Sequence, residues 1–246
     1  ILNAIGEYIA FMDSDDYIEP NFLEKLYNNM QKYDADICCC NYKLYFPESN
    51  IKFHMPIIPK SKVYDNENAL KKLILDITMH HFVWNKLFKR SLFFNHNIEF
   101  ANMYFEDIAT MPQLFLKANK IVVINDVLYH YILRKPGIMW DMNPKKINDF
   151  IRSLGSIKAF LVKNNVYDQY KTHFKIYAYR VKLFNYFYIS RMHAINNNFN
   201  GIINNFKKSN HCVKFIKYNH SKHQADIPDL PHYIKSPEKK TKKFQR

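Results

Sequence analysis

Tyr8-Ile9-Ala10-Phe11-Met12-Asp13-Ser14-Asp15-Asp16 is an unbroken apolar run that stops abruptly in carboxylates. An apolar run without alternation reads as a buried strand, typical of parallel sheets. Downstream, Pro20 is placed to open a helix at its first turn, where its missing N–H costs nothing. Leu23, Leu26, Tyr27 and Met30 then follow at helical spacing as one inward stripe. Ala35 to Phe46 returns to strand character. Strand, acidic turn, helix and strand make a βαβ unit, so the fold class is α/β.

Further along, 47–59 reads as irregular, and 67–77 as a helix with Leu70, Leu73, Ile74 and Ile77 on one face. An aromatic segment, His80-His81-Phe82-Val83-Trp84-Asn85-Lys86-Leu87-Phe88, precedes a helix opened by Glu106-Asp107, with Ile108, Met111, Phe115 and Ala118 inward. Two strands are expected at 121–124 and 127–131, parted by Asn125-Asp126. After Lys135-Pro136-Gly137 the pattern becomes helical. One stripe runs Ile147, Phe150, Ile151, Leu154, Ile157, Leu161; another runs Tyr170, Phe174, Tyr177, Val181, Phe184, Tyr188 at nearly heptad spacing. The reading divides the chain into 1–137, a helical region at 138–219, and a basic, poorly ordered tail at 220–246.

With 246 residues, 48% apolar and 16% aromatic, the chain can build a real core. Only 4 glycines are present, which excludes the glycine-rich phosphate loops. The formal charge of +14 suits an anionic partner, and residues 201–246 carry 11 basic against 3 acidic side chains. No recognised nucleic-acid-binding motif occurs, so nucleic acid is not an expected partner. Cys38, Cys39 and Cys40 are consecutive. Neighbouring strand residues point to opposite faces, so these thiols cannot converge on one zinc, and reduced cytoplasmic thiols are expected. No apolar run reaches the ~18 residues of a membrane span, and no basic leader precedes the strand-like start at Ile1.

Asp13 and Asp15 carry the strongest chemical signal. Two residues apart on leaving a strand, they can project together from the carboxyl edge of the sheet, where open α/β sheets bind ligands. Two hard oxygen donors suit Mg²⁺ or Mn²⁺, with phosphate oxygens and water completing the shell. Such an ion neutralises charge on a departing diphosphate. Asp16 is placed to orient Asp15 or touch a substrate hydroxyl. Dehalogenase-type phosphatases also carry an acidic pair after a strand, but continue into Gly-Thr or Gly-Val rather than Asp16-Tyr17.

The segment from Ala4 to Ile18 closely resembles the centre of family 2 glycosyltransferases, GT-A-fold enzymes of bacterial capsule, lipopolysaccharide and teichoic-type polymer synthesis. Phe82-Val83-Trp84-Asn85-Lys86-Leu87-Phe88 is similar to the family's Trp-Asn-Lys segment. Tyr104-Phe105-Glu106-Asp107 is similar to its Glu-Asp motif, and Tyr129-His130-Tyr131 through Arg134 to its closing Tyr-x-Tyr and Arg. By position, the resemblance implies Asp15 as main metal ligand and Asp13 on the metal or sugar nucleotide. Asp107, with Glu106 beside it, becomes the base; Lys86 and Arg134 would face phosphate or acceptor charge, and Trp84 would form a sugar-stacking wall.

The implied reaction is an inverting displacement. A sugar passes from a nucleoside-diphosphate donor, a UDP-sugar first of all, to a glycan or lipid-linked acceptor. The basic helical C-terminal region is expected against the cytoplasmic face of the membrane. The family begins with two or more strand–helix units that hold the nucleotide, and none lies before Ile1. The expectation is therefore a partial GT-A domain, weak in donor binding by itself. Lys135-Pro136-Gly137-Ile138 also stands where the family often places Ser after its Arg. The alternative is a non-catalytic module that keeps the back half of the fold.

Overall fold

The protein is described from a computed structural model over residues 1–47, 50–54, 61–133 and 143–195. The expectations attached to Arg134, to Lys135-Pro136-Gly137 and to the tail at 220–246 lie outside the described residues. Seven strands, β1 Tyr8–Ala10, β2 Tyr17–Ile18, β3 Ile37–Phe46, β4 Ile51–His54, β5 Lys62–Asp65, β6 Lys86–Lys89 and β7 Lys120–Ile132, share one mixed sheet. Its order is β1-β6-β3-β7-β2, with β4 on β3 and β5 on β7. β3 and β7 pair in parallel; every other pairing is antiparallel.

The opening strand differs from its reading. β1 pairs with β6 alone among the described strands, Ala10 opposite Leu87, and only Ile9 of its three residues is buried. It is an edge strand rather than an interior one, and Met12 beyond it is 51% exposed. β1 and β3 run the same way, but β6 is inserted antiparallel between them, so they are not adjacent members of a simple βαβ unit. The two strands expected at 121–131 are one. Register shifts opposite Asn41 absorb Asn125-Asp126 as bulges on β7 instead of a turn. Residues 51–54 within the stretch read as irregular form β4.

Helices cover both faces. Helix α1 (Phe22–Tyr33) starts after Pro20, not with it, and buries Phe22, Leu26 and Met30. Leu23 and Tyr27, expected inward, face solvent at 52% and 45%. The true stripe follows i, i+4, i+8, so one step of register moved those two side chains out. On this face α1 packs over Cys38, Cys40, Trp84, Leu87 and Tyr129. On the other face lie α2 (Asn66–Leu75), α4 (Glu106–Lys117), α5 (Pro144–Lys163) and α6 (Tyr167–Ile195), with a short α3 (Ser91–Phe94). Leu70, Leu73, Met111, Phe115, Leu154, Ile157, Leu161, Tyr170, Phe174 and Tyr177 share one core there with Cys39. Ile77 lies past the end of α2 and is 41% exposed.

The cysteines alternate across the sheet as a strand requires. All three are free and buried; burial pushes the Cys39 thiol up to about 11 and Cys40 to about 12. Among the described residues no helix is long and apolar enough to cross a membrane.

Candidate active site

The acidic turn follows β1 and is fastened to the far end of β7. The backbone N–H of Asp16 donates to the carbonyl of Asp13 at 3.2 Å, closing the turn. The Tyr129 hydroxyl accepts from the Asp13 N–H at 3.2 Å and donates to Oδ2 of Asp16 at 2.7 Å. Oδ1 of Asp16 accepts from the Ile132 N–H at 2.7 Å. Asp16 is buried. Both oxygens are engaged by the protein, so Asp16 anchors the turn. Burial raises its carboxyl, against the lowering pull of these two donors.

With Asp16 pinned, Asp13 and Asp15 stay exposed. Although open to solvent, the Asp13 carboxyl is dehydrated enough by its surroundings to be raised, and the charge of Asp15 raises it further. Two carboxylates that repel in this way form a place short of positive charge. Among the described residues no three His, Cys, Asp or Glu side chains gather as a closed cage. The donor set is thus two hard oxygens with the other positions open, which fits Mg²⁺ or Mn²⁺ shared with phosphate oxygens and water better than a structural metal.

Glu106-Asp107 opens α4 as expected, from a backbone position that was not foreseen. Phe105, the residue before the helix, is left-handed at φ 61 and ψ 36 and gives no side-chain cap. A bulky residue there is strained and persists only where its surroundings hold it. Here α5 does so. The ring of Phe150 lies 4.9 Å from that of Phe105, and Oδ2 of Asp149 accepts from the Tyr104 N–H at 3.2 Å.

Asp107 in turn caps its own helix, Oδ1 accepting from the Ile108 N–H at 2.8 Å. Burial outweighs the pull of that N–H at the start of the helix. Desolvation lifts the Asp107 carboxyl to about 6, aided by Glu106 and opposed by His81, that N–H bond and Lys86. Glu106 stays exposed. Tyr131 ties this carboxylate to the acidic turn: its phenol is raised first by burial, then by Asp16, Asp13, Asp15 and Asp107. The charges of all four carboxylates therefore reach that phenol.

Two residues are placed differently from their expected roles. Lys86 is fully buried and does not face an incoming phosphate. Its ammonium donates to the carbonyls of His80 at 2.9 Å and Phe82, and to Oδ1 of Asn85 at 2.7 Å. Burial lowers its pKa. Trp84 is 5% exposed and presents no free wall. Tyr129 stacks on it at 4.3 Å and Phe82 at 4.6 Å, with Tyr42 edge-on at 4.9 Å. Sequence reasoning missed Tyr129 as the clamp of the turn, and the half-buried Asp76, whose carboxylate stands beside His80 and His81. The His80-His81 pair inside an aromatic segment was the one available signal.

A mixed α/β sheet with helices on both faces is in keeping with a GT-A fold. The comparisons agree. Residues 1–94 match the sequence model of Glycosyl transferase family 2. The chain is 28% identical over 180 residues to the cholesterol galactosyltransferase of Borreliella burgdorferi, covering 70% of this chain and 50% of that one. It is 36% identical over 146 residues to the glycosyltransferase GlyG of Streptococcus pneumoniae, covering 55% and 47%. The chain thus spans about half the length of these curated relatives. The crystal structure of S. aureus TarS 1-349 in complex with UDP-GlcNAc shares the fold at 15% identity and TM-score 0.50, over 93% of this chain and 72% of that one.

Proposed function

We propose that the protein transfers a sugar from a nucleoside-diphosphate sugar to a hydroxyl of a glycan or lipid-linked acceptor, by a metal-dependent displacement that inverts the anomeric centre. The observation that carries this reading is an exposed, mutually repelling pair, Asp13 and Asp15, together with a desolvated Asp107 whose carboxyl is raised to about 6, the charges of all three reaching the phenol of Tyr131. Asp15 and Asp13 would hold Mg²⁺ or Mn²⁺, which supplies Lewis-acid charge for the departing diphosphate.

Asp107 takes the proton of the acceptor hydroxyl. A base raised towards neutrality is better matched to that task than an ordinary carboxylate, and such transfer contributes ~10²–10⁴ in rate. A UDP-sugar is the donor we favour, since the fold neighbour is solved with UDP-GlcNAc. A sterol or diacylglycerol acceptor is in keeping with the names of two relatives, the cholesterol galactosyltransferase and a processive diacylglycerol beta-glycosyltransferase of Mycoplasma pneumoniae. A peripheral contact with anionic membrane through the basic C-terminal region would bring the site to such acceptors.

Radiolabelled transfer from UDP-glucose, UDP-galactose and UDP-GlcNAc to lipid extracts and glycans, with and without Mn²⁺, tests the proposal. Transfer that needs the metal and disappears in Asp107→Asn supports it. Donor hydrolysis or binding that ignores both the metal and Asp107 refutes it.

A further inference from the structure

The chain leaves the acidic turn through β2, a strand of two residues that pairs with β7, Tyr17 opposite His130 and Ile18 opposite Tyr129. Two ladder positions hold a segment weakly, and a side chain of β7 adds to them. The His130 ring is buried at 2% exposure. Tyr17 stacks on it, centroids 4.0 Å apart and planes within 12° of parallel. The His130 Nε2 stands 2.6 Å from Oε1 of Glu19, whose own N–H donates to the carbonyl of Leu128 at 2.9 Å. Nδ1 of the same ring is buried and finds no partner among the described residues.

A carboxylate only accepts, so the proton lies on Nε2 and the bare lone pair on Nδ1. A second proton would bury an N–H that has no acceptor. The charged groups near the ring are Glu19, Lys43 of β3 and Lys52 of β4. Lys43 is paired opposite His130 in the sheet, and its ammonium lies 4.0 Å from the same Glu19 oxygen. Burial first, then the two ammonium charges, keep the imidazole below its ordinary 6.5 against the pull of Glu19. Asp16 is anchored through its side chain, which fixes its carboxyl and not the course of the backbone beyond it. Tyr17 and Glu19, held on one imidazole, set that course.

We infer that His130 is a positioning residue of the acidic turn: its Nε2–H to Glu19 and its stack with Tyr17 fix the exit of the turn, and so the directions of the Asp13 and Asp15 carboxylates. This rests on the reading of those two as the metal pair. Tyr129 secures the entrance, from Asp13 to Asp16. His130, the next residue of β7, secures the exit, from Tyr17 to Glu19. Mg²⁺ demands near-ideal octahedral geometry, so a pair of carboxylates serves it best when both ends of their turn are fixed.

Amide hydrogen exchange and Mn²⁺ binding by electron paramagnetic resonance, both on the whole chain, test the inference without requiring turnover. His130→Phe keeps a ring for Tyr17 but has no donor. His130→Gln keeps an N–H near the place of Nε2, and Glu19→Ala removes the acceptor. The Asp16 N–H closes the turn on the Asp13 carbonyl. It should exchange about tenfold faster in His130→Phe and Glu19→Ala, the weight of one hydrogen bond on a local opening, while the core amides of α4 stay as they were. Mn²⁺ should bind about threefold or more weakly in the same two variants, and His130→Gln should restore both readouts to within about twofold. Exchange at Asp16 unmoved in Glu19→Ala, or a Gln variant as fast as the Phe variant, overturns the inference. A speeding that the α4 amides share equally marks a general loss of stability and overturns it too. If His130→Phe does not fold, Glu19→Ala against the parent decides. Faster exchange at Asp16 in a chain whose parent binds no Mn²⁺ would keep His130 as the holder of the turn and sink the metal reading instead.

Discussion

The hydroxyl of Tyr129 donates to the carboxylate of Asp16 at 2.7 Å across 113 residues of sequence, and so holds the acidic turn against the end of β7. Tyr129→Phe removes that donor and leaves a buried carboxylate oxygen short of one bond. Stability should fall by ~1–3 kcal/mol, read from denaturant unfolding. Metal affinity should fall with it, because Asp13 loses the partner of its N–H. An unchanged unfolding midpoint would show that the turn is held by other means.

Asp107→Asn should lower kcat by ~10²–10⁴ while calorimetric donor affinity stays put. The parent enzyme should lose kcat/KM by about tenfold per pH unit below its Asp107 midpoint of about 6, since only the carboxylate accepts a proton. The sign for stability is opposite. The native carboxyl binds its proton more tightly than the unfolded chain does, so this group disfavours folding progressively as pH rises towards 6. The Asn variant should therefore be no less stable than the parent above pH 6. Loss of donor affinity instead of turnover would move Asp107 out of the base's role.

Asp15→Ala should abolish Mn²⁺ binding measured by electron paramagnetic resonance. Stability should stay within about 0.5 kcal/mol, because the side chain is exposed and satisfies no buried group. The Asp13 carboxyl should relax downward once its repelling neighbour is gone. Mn²⁺ binding that survives the substitution excludes Asp15 from the metal site.

Lys86→Met should destabilise by roughly 2–5 kcal/mol, since the His80 and Phe82 carbonyls and the Asn85 side-chain oxygen all lose their shared donor. In the parent, burial holds the ammonium below the ordinary 10.5, so the native state releases its proton before the unfolded chain does. The Lys86 contribution should make stability rise with pH across that window. A variant of full stability with impaired donor binding would instead restore Lys86 to the substrate.

The acidic turn, the two-faced cysteine strand, the inward faces of α4 and α5 and the α6 stripe as far as Val181 were legible because each is written in local spacing. Phe184, expected inward, is 44% exposed, and the side chain of Tyr188 lies outside the described residues. Residues 38–40 alternate into the two core clusters just as period two dictates. The edge position of β1 was not legible. Its apolar run carries no mark that residues 86–89 come back antiparallel beside it. Lys86 misled for the same reason: burial of an ammonium depends on three oxygens supplied by the folded loop around it, and no periodicity reports them. Asp16 looked like its neighbours until residues 129 and 132 claimed both its oxygens. The left-handed Phe105 is likewise invisible, since its conformation is enforced from α5.

That last contact means the placement of residue 107, and with it the chemistry proposed there, is governed partly by α5. Asp149 and Phe150 grip the backbone and ring just ahead of it, and their own helix is bedded in the same core as α2 and α4. Loosening α5 by heat, deletion or an engineered linker should leave the acidic turn proposed to hold a metal in place and let the proposed base drift. The protein would then retain its cation while failing at group transfer.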